Sequence, residues 1–333
     1  MKSFPLSYRN IKKHEFTNDK FKITPIRYED RYLIMNWRNE QLFHLRQKEP
    51  LSAKEQDLYF DTVVRNIFDD EKPNQYLFSF FEDEIMVAYG GLVHIDWKKK
   101  SAEISFLISN EKNKNFFSLY WDQFLKLIEE VAFESLSLHS IFTYSFELRP
   151  ELYPILKENK FSFKKRLKND ISHGNTLVDS LIHIKWKEEL QVRKAVEADK
   201  ELIFNWVNDS KSRKHSINQR EITWDEHCLW FDEKMKRTDT DIYIFSLNEP
   251  VGMIRLDKEE NRFKISYNVS PNYRGNGYGD RIISWVTNQK KYKTLLADVK
   301  EDNIASHKIF LNNEFKLKKV FDVNGTPFTQ YIR

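Results

Sequence analysis

The sequence predicts an α/β (α+β) protein of two tandem domains, each a mixed central sheet flanked by helices, and three observations carry that expectation. The first is length: at 333 residues a single hydrophobic core has reached its usual size limit, so two domains are expected. The second is an internal repeat, most of whose members lie 169 to 171 residues apart. The third is the stretch Val269–Gly279, where three of only 8 glycines fall inside five residues, between a strand-like and a helix-like segment.

The repeat is read from paired residues. Ile26, Glu29-Asp30, Leu33-Ile34, Asn36-Trp37, Asn39-Glu40, Leu51-Ser52 and Tyr59-Phe60-Asp61 form one series. Asp199, Leu202-Ile203, Asn205-Trp206, Asn208-Asp209, Ile222-Thr223 and Trp230-Phe231-Asp232 answer it. The echo continues in Tyr76–Ser79 against Tyr243–Ser246, and in Ile104-Ser-Phe106 against Ile265-Ser-Tyr267. A period this long indicates duplicated domains, since solenoid units are much shorter. Ser180–Trp186 alternates like a closing strand, which puts the boundary near residues 186–189 and the domains at 1–187 and 188–333. No Gly/Ser-rich or Pro-rich linker separates them, so the copies are expected to pack together.

Elements of the second copy follow in order. Leu190–Lys194 reads as its first strand and Asp199–Trp206 as its first helix. Thr223 with Glu226 makes a capping box at the start of a helix carrying Trp224, His227, Trp230 and Phe231. Phe263–Val269 alternates apolar and polar residues as a half-buried strand does, and Ile282, Ile283, Trp285 and Val286 recur at helical spacing. Thr294–Val299 is a further strand. In the first copy Gly90-Gly91 reads as a strand bulge or bend.

Between strand and helix, Gly275, Gly277 and Gly279 remove side chains that would hold a ligand away from the backbone, so N–H groups and a helix N-terminus can converge on a phosphate. A P-loop would need Gly-Lys-Ser/Thr, and Asp280-Arg281 follow instead. A dinucleotide fingerprint would space its glycines differently. What stands is Arg274-x-x-Gly277-x-Gly279 after a strand, followed by the strand Thr294–Val299 and the segment Asn303–Phe315 with its asparagine, paired Ile309-Phe310 and closing Phe315. This resembles the acyl-CoA motif of the GNAT acetyltransferase superfamily over roughly residues 190–333.

The resemblance implies direct transfer of an acetyl group from acetyl-CoA to an amine, with alignment of the reactants supplying much of the rate. It implies that Val269 and Ser270 hold the pantetheine or polarise the carbonyl. Arg274, Gly275, Asn276, Gly277, Tyr278 and Gly279 would cradle the pyrophosphate, and Asn303 would contact the cofactor arm. Seven residues after that asparagine the family commonly has a proton-donating tyrosine, where this chain has Phe310, which the resemblance places at the cofactor. Ser306, three residues after Asn303 on the same helical face, is the nearest hydroxyl.

Arg213–Asn218 and Trp224–Trp230 are similar to segments of the GNAT branch that acetylates amino groups on nucleotide-linked sugars. Arg213 or Lys214 suits a diphosphate, Ser216 and Asn218 suit sugar hydroxyls, and Trp230 offers a flat face. His227 and His215 are the candidate bases.

The first copy offers Lys112–Ser118 opposite the glycine motif, with no glycine. Phe116 and Phe117 would stand where backbone N–H groups must approach phosphate, so this copy is expected not to hold CoA that way. Its Asn159-Lys-Phe161 still matches Asn313-Glu-Phe315.

Charge is nearly balanced, 54 Lys plus Arg against 50 Asp plus Glu, which gives no case for nucleic acid. No run is long enough to span a bilayer, residues 1–10 lack the apolar core of a signal peptide, and the single cysteine, Cys228, excludes a cysteine-rich metal site. A cytoplasmic protein without a metal is expected, with a small-molecule amine as partner, and a homodimer is compatible with the sequence. The expected function is acetylation of a nucleotide-linked amino sugar in bacterial surface polysaccharide synthesis. Two alternatives stay open: a GNAT enzyme acting on a protein N-terminus or another small-molecule amine, and a non-catalytic CoA-binding scaffold.

Overall fold

The computed structural model describes residues 2–174 and 176–333, with the backbone alone at Lys114. The chain forms two compact units, Met1–Lys187 and Glu188–Arg333.

The first unit is built on an eight-stranded sheet. Its strands are β1 (Phe16–Asn18), β2 (Phe21–Pro25), β3 (Tyr76–Glu82), β4 (Ile85–Asp96), β5 (Ser101–Ile108), β6 (Ser140–Phe146), β7 (Ser162–His173) and β8 (Thr176–Trp186). They lie in the order β1-β2-β3-β4-β5-β6-β8-β7, with only the β5–β6 pair parallel. Helices α1 (Arg31–Glu40), α2 (Ala53–Tyr59) and α3 (Arg65–Asp69) stand between β2 and β3, α4 (Asn110–Glu129) between β5 and β6, and α5 (Leu152–Glu158) between β6 and β7.

The second unit has the same plan. Strands β9 (Gln191–Lys194), β10 (Thr240–Ser246), β11 (Pro250–Glu259), β12 (Arg262–Val269), β13 (Leu295–Lys300), β14 (Lys316–Val323) and β15 (Thr326–Ile332) are ordered β14-β15-β13-β12-β11-β10-β9, and only β12–β13 is parallel. Helices α6 (Lys200–Asn208), α7 (Ser210–Lys214) and α8 (Trp224–Lys236) precede β10. Helix α9 (Tyr278–Thr287) joins β12 to β13, and α10 (Ile304–Asn312) follows β13. The sheet buries one core under α9 and α10, including Ile265, Ile282, Ile283 and Phe310. A second core, with Ile203, Trp206, Phe231 and Ile244, lies under α6 and α8.

The polar members of the repeat do the same work in both units. The Asn39 side chain accepts from the Leu51 N–H at 2.7 Å and donates to its carbonyl at 2.9 Å; Asn208 bridges Ile222 the same way at 2.9 and 2.8 Å. Capping boxes at Ser52–Glu55 and Thr223–Glu226 start α2 and α8. Asn159 donates to Asp122 and Asn313 donates to Asp280, each at 3.0 Å, tying α5 to α4 and α10 to α9. The next residues, Lys160 and Glu314, both turn through positive φ, 62° and 63°.

Gly90 and Gly91 differ from expectation. Pairing through Phe78–Gly90 and Leu77–Gly91 is regular, so there is no bulge at these residues. A Cβ on Gly91 would meet the Tyr76 carbonyl oxygen at 1.9 Å, and one on Gly90 the Ser105 carbonyl oxygen at 2.3 Å. Close backbone approach is what these glycines permit. Among the described residues no helix is long and apolar enough to cross a membrane.

Gly279 has a packing role. A Cβ there would stand 2.8 Å from Ile309 Cδ1 and 3.3 Å from Tyr267 Cε2. We predict that Gly279→Ala is close to neutral, because the helix gains about 0.8–1 kcal/mol from alanine while the end of Ile309 gives way. Gly279→Val should cost about 1–3 kcal/mol by overpacking. Denaturant titration checks both, and a neutral valine would contradict the close packing of α9 on α10.

Candidate active site

The site begins where β12 and β13 part. Phe263 N–H donates to the Thr294 carbonyl at 2.9 Å, on the β13 side of β12. Ser270 N–H donates to the Val251 carbonyl at 2.9 Å, on the β11 side. Backbone groups alternate along a strand, so those of Tyr267 and Val269 also face β13. Pairing with β13, however, ends at Ile265–Ala297. The strands leave a gap lined by backbone polar groups.

The chain then crosses as a strap, Ser270–Gly277. Gly275 has φ 83° and Gly277 φ 82°, backbone that other residues rarely adopt. Apart from Gly275 and its two chain neighbours, no heavy atom lies within 4 Å of a Cβ built on Gly275. Gly277 is the N-cap of α9, and no side chain caps that terminus. The first-turn N–H groups therefore remain directed out of the helix. This arrangement fits a diphosphate: an uncapped N-terminus of a ten-residue helix behind two glycines.

Arg274 turns the other way. Its Nε donates to the Val269 carbonyl at 2.9 Å, Nη1 to Asp209 at 2.5 Å and Nη2 to Ser212 Oγ at 3.0 Å. Asp209 also caps α7 through the N–H groups of Lys211 and Ser212, and Asn268 donates to Ser212 Oγ at 2.9 Å. Burial acts to raise the Asp209 carboxyl, but the Arg274 guanidinium and the capped N–H groups outweigh it and hold the pKa below the usual value. Arg274 is thus a clamp between strap and α7. The sequence reading had it on the pyrophosphate.

On α10, Asn303 is the N-cap and its Oδ1 accepts from Ser306 N–H at 3.2 Å. Ser306 Oγ and Tyr267 OH are 2.8 Å apart. Burial pushes the Tyr267 phenol up to about 12, the Ser306 bond working against it. Phe310 is buried against Tyr267, Phe315 and Tyr331 and belongs to the core, where the sequence reading had it at the cofactor.

The acceptor candidates separate sharply. His227 is 1% exposed and its Nε2 stands 2.8 Å from the Lys200 carbonyl, so that nitrogen carries the proton. Phe204, Trp224, Trp230 and Phe231 surround the ring, and burial lowers its pKa, against a raising bond to Lys200. A ring so enclosed is a core residue, contrary to its expected role as base. His215 is only partly buried, with Nδ1 3.3 Å from Asp302 Oδ1, the residue before Asn303.

Arg213 donates to the carbonyls of Val207, Asn218 and Arg220 and to Ser216 Oγ. It holds the loop together, and Ser216 and Asn218 serve the same network. Trp230 packs on the smaller core with the Arg255 guanidinium 5.2 Å over its ring. These four residues are structural here, where the sequence reading gave them to the substrate.

Asp209, Tyr267, Asn268 and Asp302 join the site beyond the residues expected from the sequence. Tyr267 had a signal: the repeat pairs it with Phe106, so its hydroxyl is what differs between copies. Ser306 stands seven residues before Asn313, as Leu152 does before Asn159. Neither hydroxyl of the pair exists in the first unit.

At the corresponding place the first unit is closed. Ser109 N–H bonds the Val87 carbonyl at 2.9 Å, as Ser270 bonds Val251, but α4 starts at once with Asn110. The amides that would form a strap are helical. Among the described residues no cluster of His, Cys, Asp and Glu could hold a metal ion.

Residues 23–182 match a family model described as an acetyltransferase (GNAT) domain, and residues 189–316 match a second model of the same description. Among solved structures, a spermidine N-acetyltransferase from Vibrio cholerae in complex with CoA and spermine is similar at 16% identity and TM-score 0.45, over 51% of this chain and 97% of that one. An N-acetyltransferase from Staphylococcus aureus Mu50 is similar at 21% identity and TM-score 0.39, over 44% and 98%. A domain from Methanocaldococcus jannaschii is similar at 23% identity and TM-score 0.39, over 43% and 98%.

His227→Ala should cost about 2–4 kcal/mol of stability through the cavity and the orphaned Lys200 carbonyl, and leave turnover per folded molecule intact. Because the folded state holds His227 neutral below its ordinary pKa, its contribution is present above about pH 6.5 and is lost as pH falls through the lowered value. Denaturation across pH should therefore show a shallower acid slope in the variant. Lost turnover with unchanged stability would contradict this assignment.

Proposed function

This chain belongs to the GNAT acetyltransferases, carrying two of their domains in tandem, and we propose that its second unit acetylates a primary amine on an anionic small molecule. The observation that carries the reading is the partly buried His215–Asp302 pair, held by the clamped loop near the parting of β12 and β13 and the glycine strap. Acetyl-CoA supplies an activated thioester acyl group when bound. The strap at Gly275–Gly277 and the first turn of α9 would hold its diphosphate. The Val269 N–H, which faces the gap, would align its arm, the Val269 carbonyl being held by Arg274.

His215 would take a proton from the acceptor ammonium, leaving a neutral amine whose nitrogen bonds to the thioester carbonyl carbon as the C–S bond breaks, and Asp302 orients the imidazole. Ser306 Oγ, accepting from the Tyr267 hydroxyl, would offer a hydrogen bond to the thiolate as the C–S bond breaks, keeping its own proton. Tyr267 keeps its proton at neutral pH, since burial raises its pKa, so it acts as a positioning residue.

The acceptor's class is drawn from α7. Arg213 is engaged in the loop, but Lys211 and Lys214 on the same short helix are exposed. Their ammonium groups suit a diphosphate or carboxylate on the acceptor. A nucleotide-linked amino sugar meets that description, and its amine is less basic than an alkyl amine, so a single histidine suffices as base.

Acetyl transfer to a panel of UDP- and dTDP-linked amino sugars, spermidine and a short peptide, followed by release of free thiol, tests the reading. Turnover is expected on the nucleotide sugars. Turnover on spermidine alone would overturn the anionic acceptor. His215→Ala should lower kcat about a hundredfold or more, with acetyl-CoA affinity unchanged. Full turnover in that variant would remove His215 from the chemistry.

A further inference from the structure

His215 stands at the end of a helix too short to hold itself. Helix α7, Ser210–Lys214, has Asp209 as its N-cap and His215 as its C-cap. An isolated single turn is unstable, so its place comes from the groups that tether it. Arg213 ties it to α6 through the Val207 carbonyl at 2.6 Å. Two tethers come from the sheet: Asn268 of β12 donates to Ser212 Oγ at 2.9 Å, and Lys300 of β13 donates to the Lys214 carbonyl at 3.0 Å. A further tether comes from the strap, where Arg274 donates to Asp209 and Ser212 Oγ while its Nε holds the Val269 carbonyl.

Asp209 gathers these bonds onto one atom. Its Oδ2 accepts from the Lys211 and Ser212 N–H groups, each at 3.1 Å, and from Arg274 Nη1. The oxygen that starts α7 therefore also carries the ion pair to the strap. Both side chains are partly buried, 25% and 20% exposed, where salt screens a pair less than in the open. The guanidinium reaches a carbonyl, a carboxylate and a hydroxyl at once through one planar fork, which the single ammonium of a lysine does not do.

From Arg274 the chain runs directly into Gly275 and Gly277, whose positive φ values shape the strap. One residue thus has its backbone in the loop for the cofactor and its side chain on the helix for the acceptor. The first unit keeps a remnant of this tie. Glu40, which the repeat pairs with Asp209, accepts from the neutral Asn110 Nδ2 at 3.1 Å, and Asn110 belongs to α4, where the first unit has a helix in place of the strap.

We propose that Arg274 and Asp209 are positioning residues that couple the two substrates: cofactor held in the strap fixes α7 through this ion pair, and with it His215. The coupling rests on the second unit being the site of acetyl transfer. It adds that the acceptor loop answers to cofactor binding, and that two residues touching neither reacting group set the base.

Hydrogen–deuterium exchange of the full chain, with and without saturating CoA, tests this. CoA is expected to slow exchange of the amides of residues 211–216 by about fivefold or more. Asp209→Asn keeps a good N-cap residue but loses the charge, and is expected to bind CoA still while losing most of that slowing. Equal slowing in wild type and variant would reduce the pair to a structural tie and overturn the coupling. CoA binding to the wild type without slowed exchange at 211–216 would overturn the coupling and leave acetyl transfer standing; no CoA binding would overturn both. Should Asp209→Asn fail to fold, the wild-type exchange decides. On an amine that turns over, Asp209→Asn and Arg274→Met should each lower kcat about tenfold or more, and the double variant no further than the worse single one, because each breaks the same link. Additive losses would overturn the shared role.

Discussion

Everything distinctive in this chain depends on how backbone polar groups are satisfied where two parallel strands separate. A sheet that opens midway exposes carbonyl and amide groups that cannot stay unpaired in an interior. Both units face that constraint at matched positions, Ile108 in the first and Val269 in the second. The first answers with the Gln41 amide on the Ile108 carbonyl. The second answers with the Arg274 guanidinium on the Val269 carbonyl. Gln41 comes from the segment after α1, so the first unit closes its gap from the acceptor side. Arg274 comes from the strap itself, so the same bond that caps the strand positions the glycines that follow.

Divergence between the copies is then a set of changes around an unchanged frame. The Asn39 and Asn208 bridges, the two capping boxes and the Asn159–Asp122 and Asn313–Asp280 bonds hold the helices in the same relation to each sheet. Within that frame Phe106 and Leu152 answer to Tyr267 and Ser306, so a hydroxyl pair exists in one unit only. A carboxylate faces His215 and a guanidinium, that of Arg149, faces His44. The cation beside His44 penalises the charged form of that ring.

Local pattern was legible in the sequence. Strand alternation placed β12 within a residue, and the Thr223–Glu226 capping box placed the start of α8. Side-chain direction was not legible. His227 and His215 are equally plausible bases as letters, and only the packing of Phe204, Trp224 and Phe231 around one of them separates the two. Arg274 looked like a phosphate ligand because its partners, Asp209 and Ser212, lie more than sixty residues earlier. Gly279 looked like part of the cradle for the same reason, its neighbour Ile309 being thirty residues away in sequence and in contact in the fold.

The central claim is that the open strap after β12 makes one unit, and not both, a site for acetyl-CoA. Calorimetric titration of the full chain with acetyl-CoA, beside the Gly277→Val variant, tests it most directly. One site per chain is expected, with the variant weakened by about 1.5–3 kcal/mol through lost bonds to a charged group. Two equivalent sites, or an affinity untouched by valine at Gly277, would contradict the account.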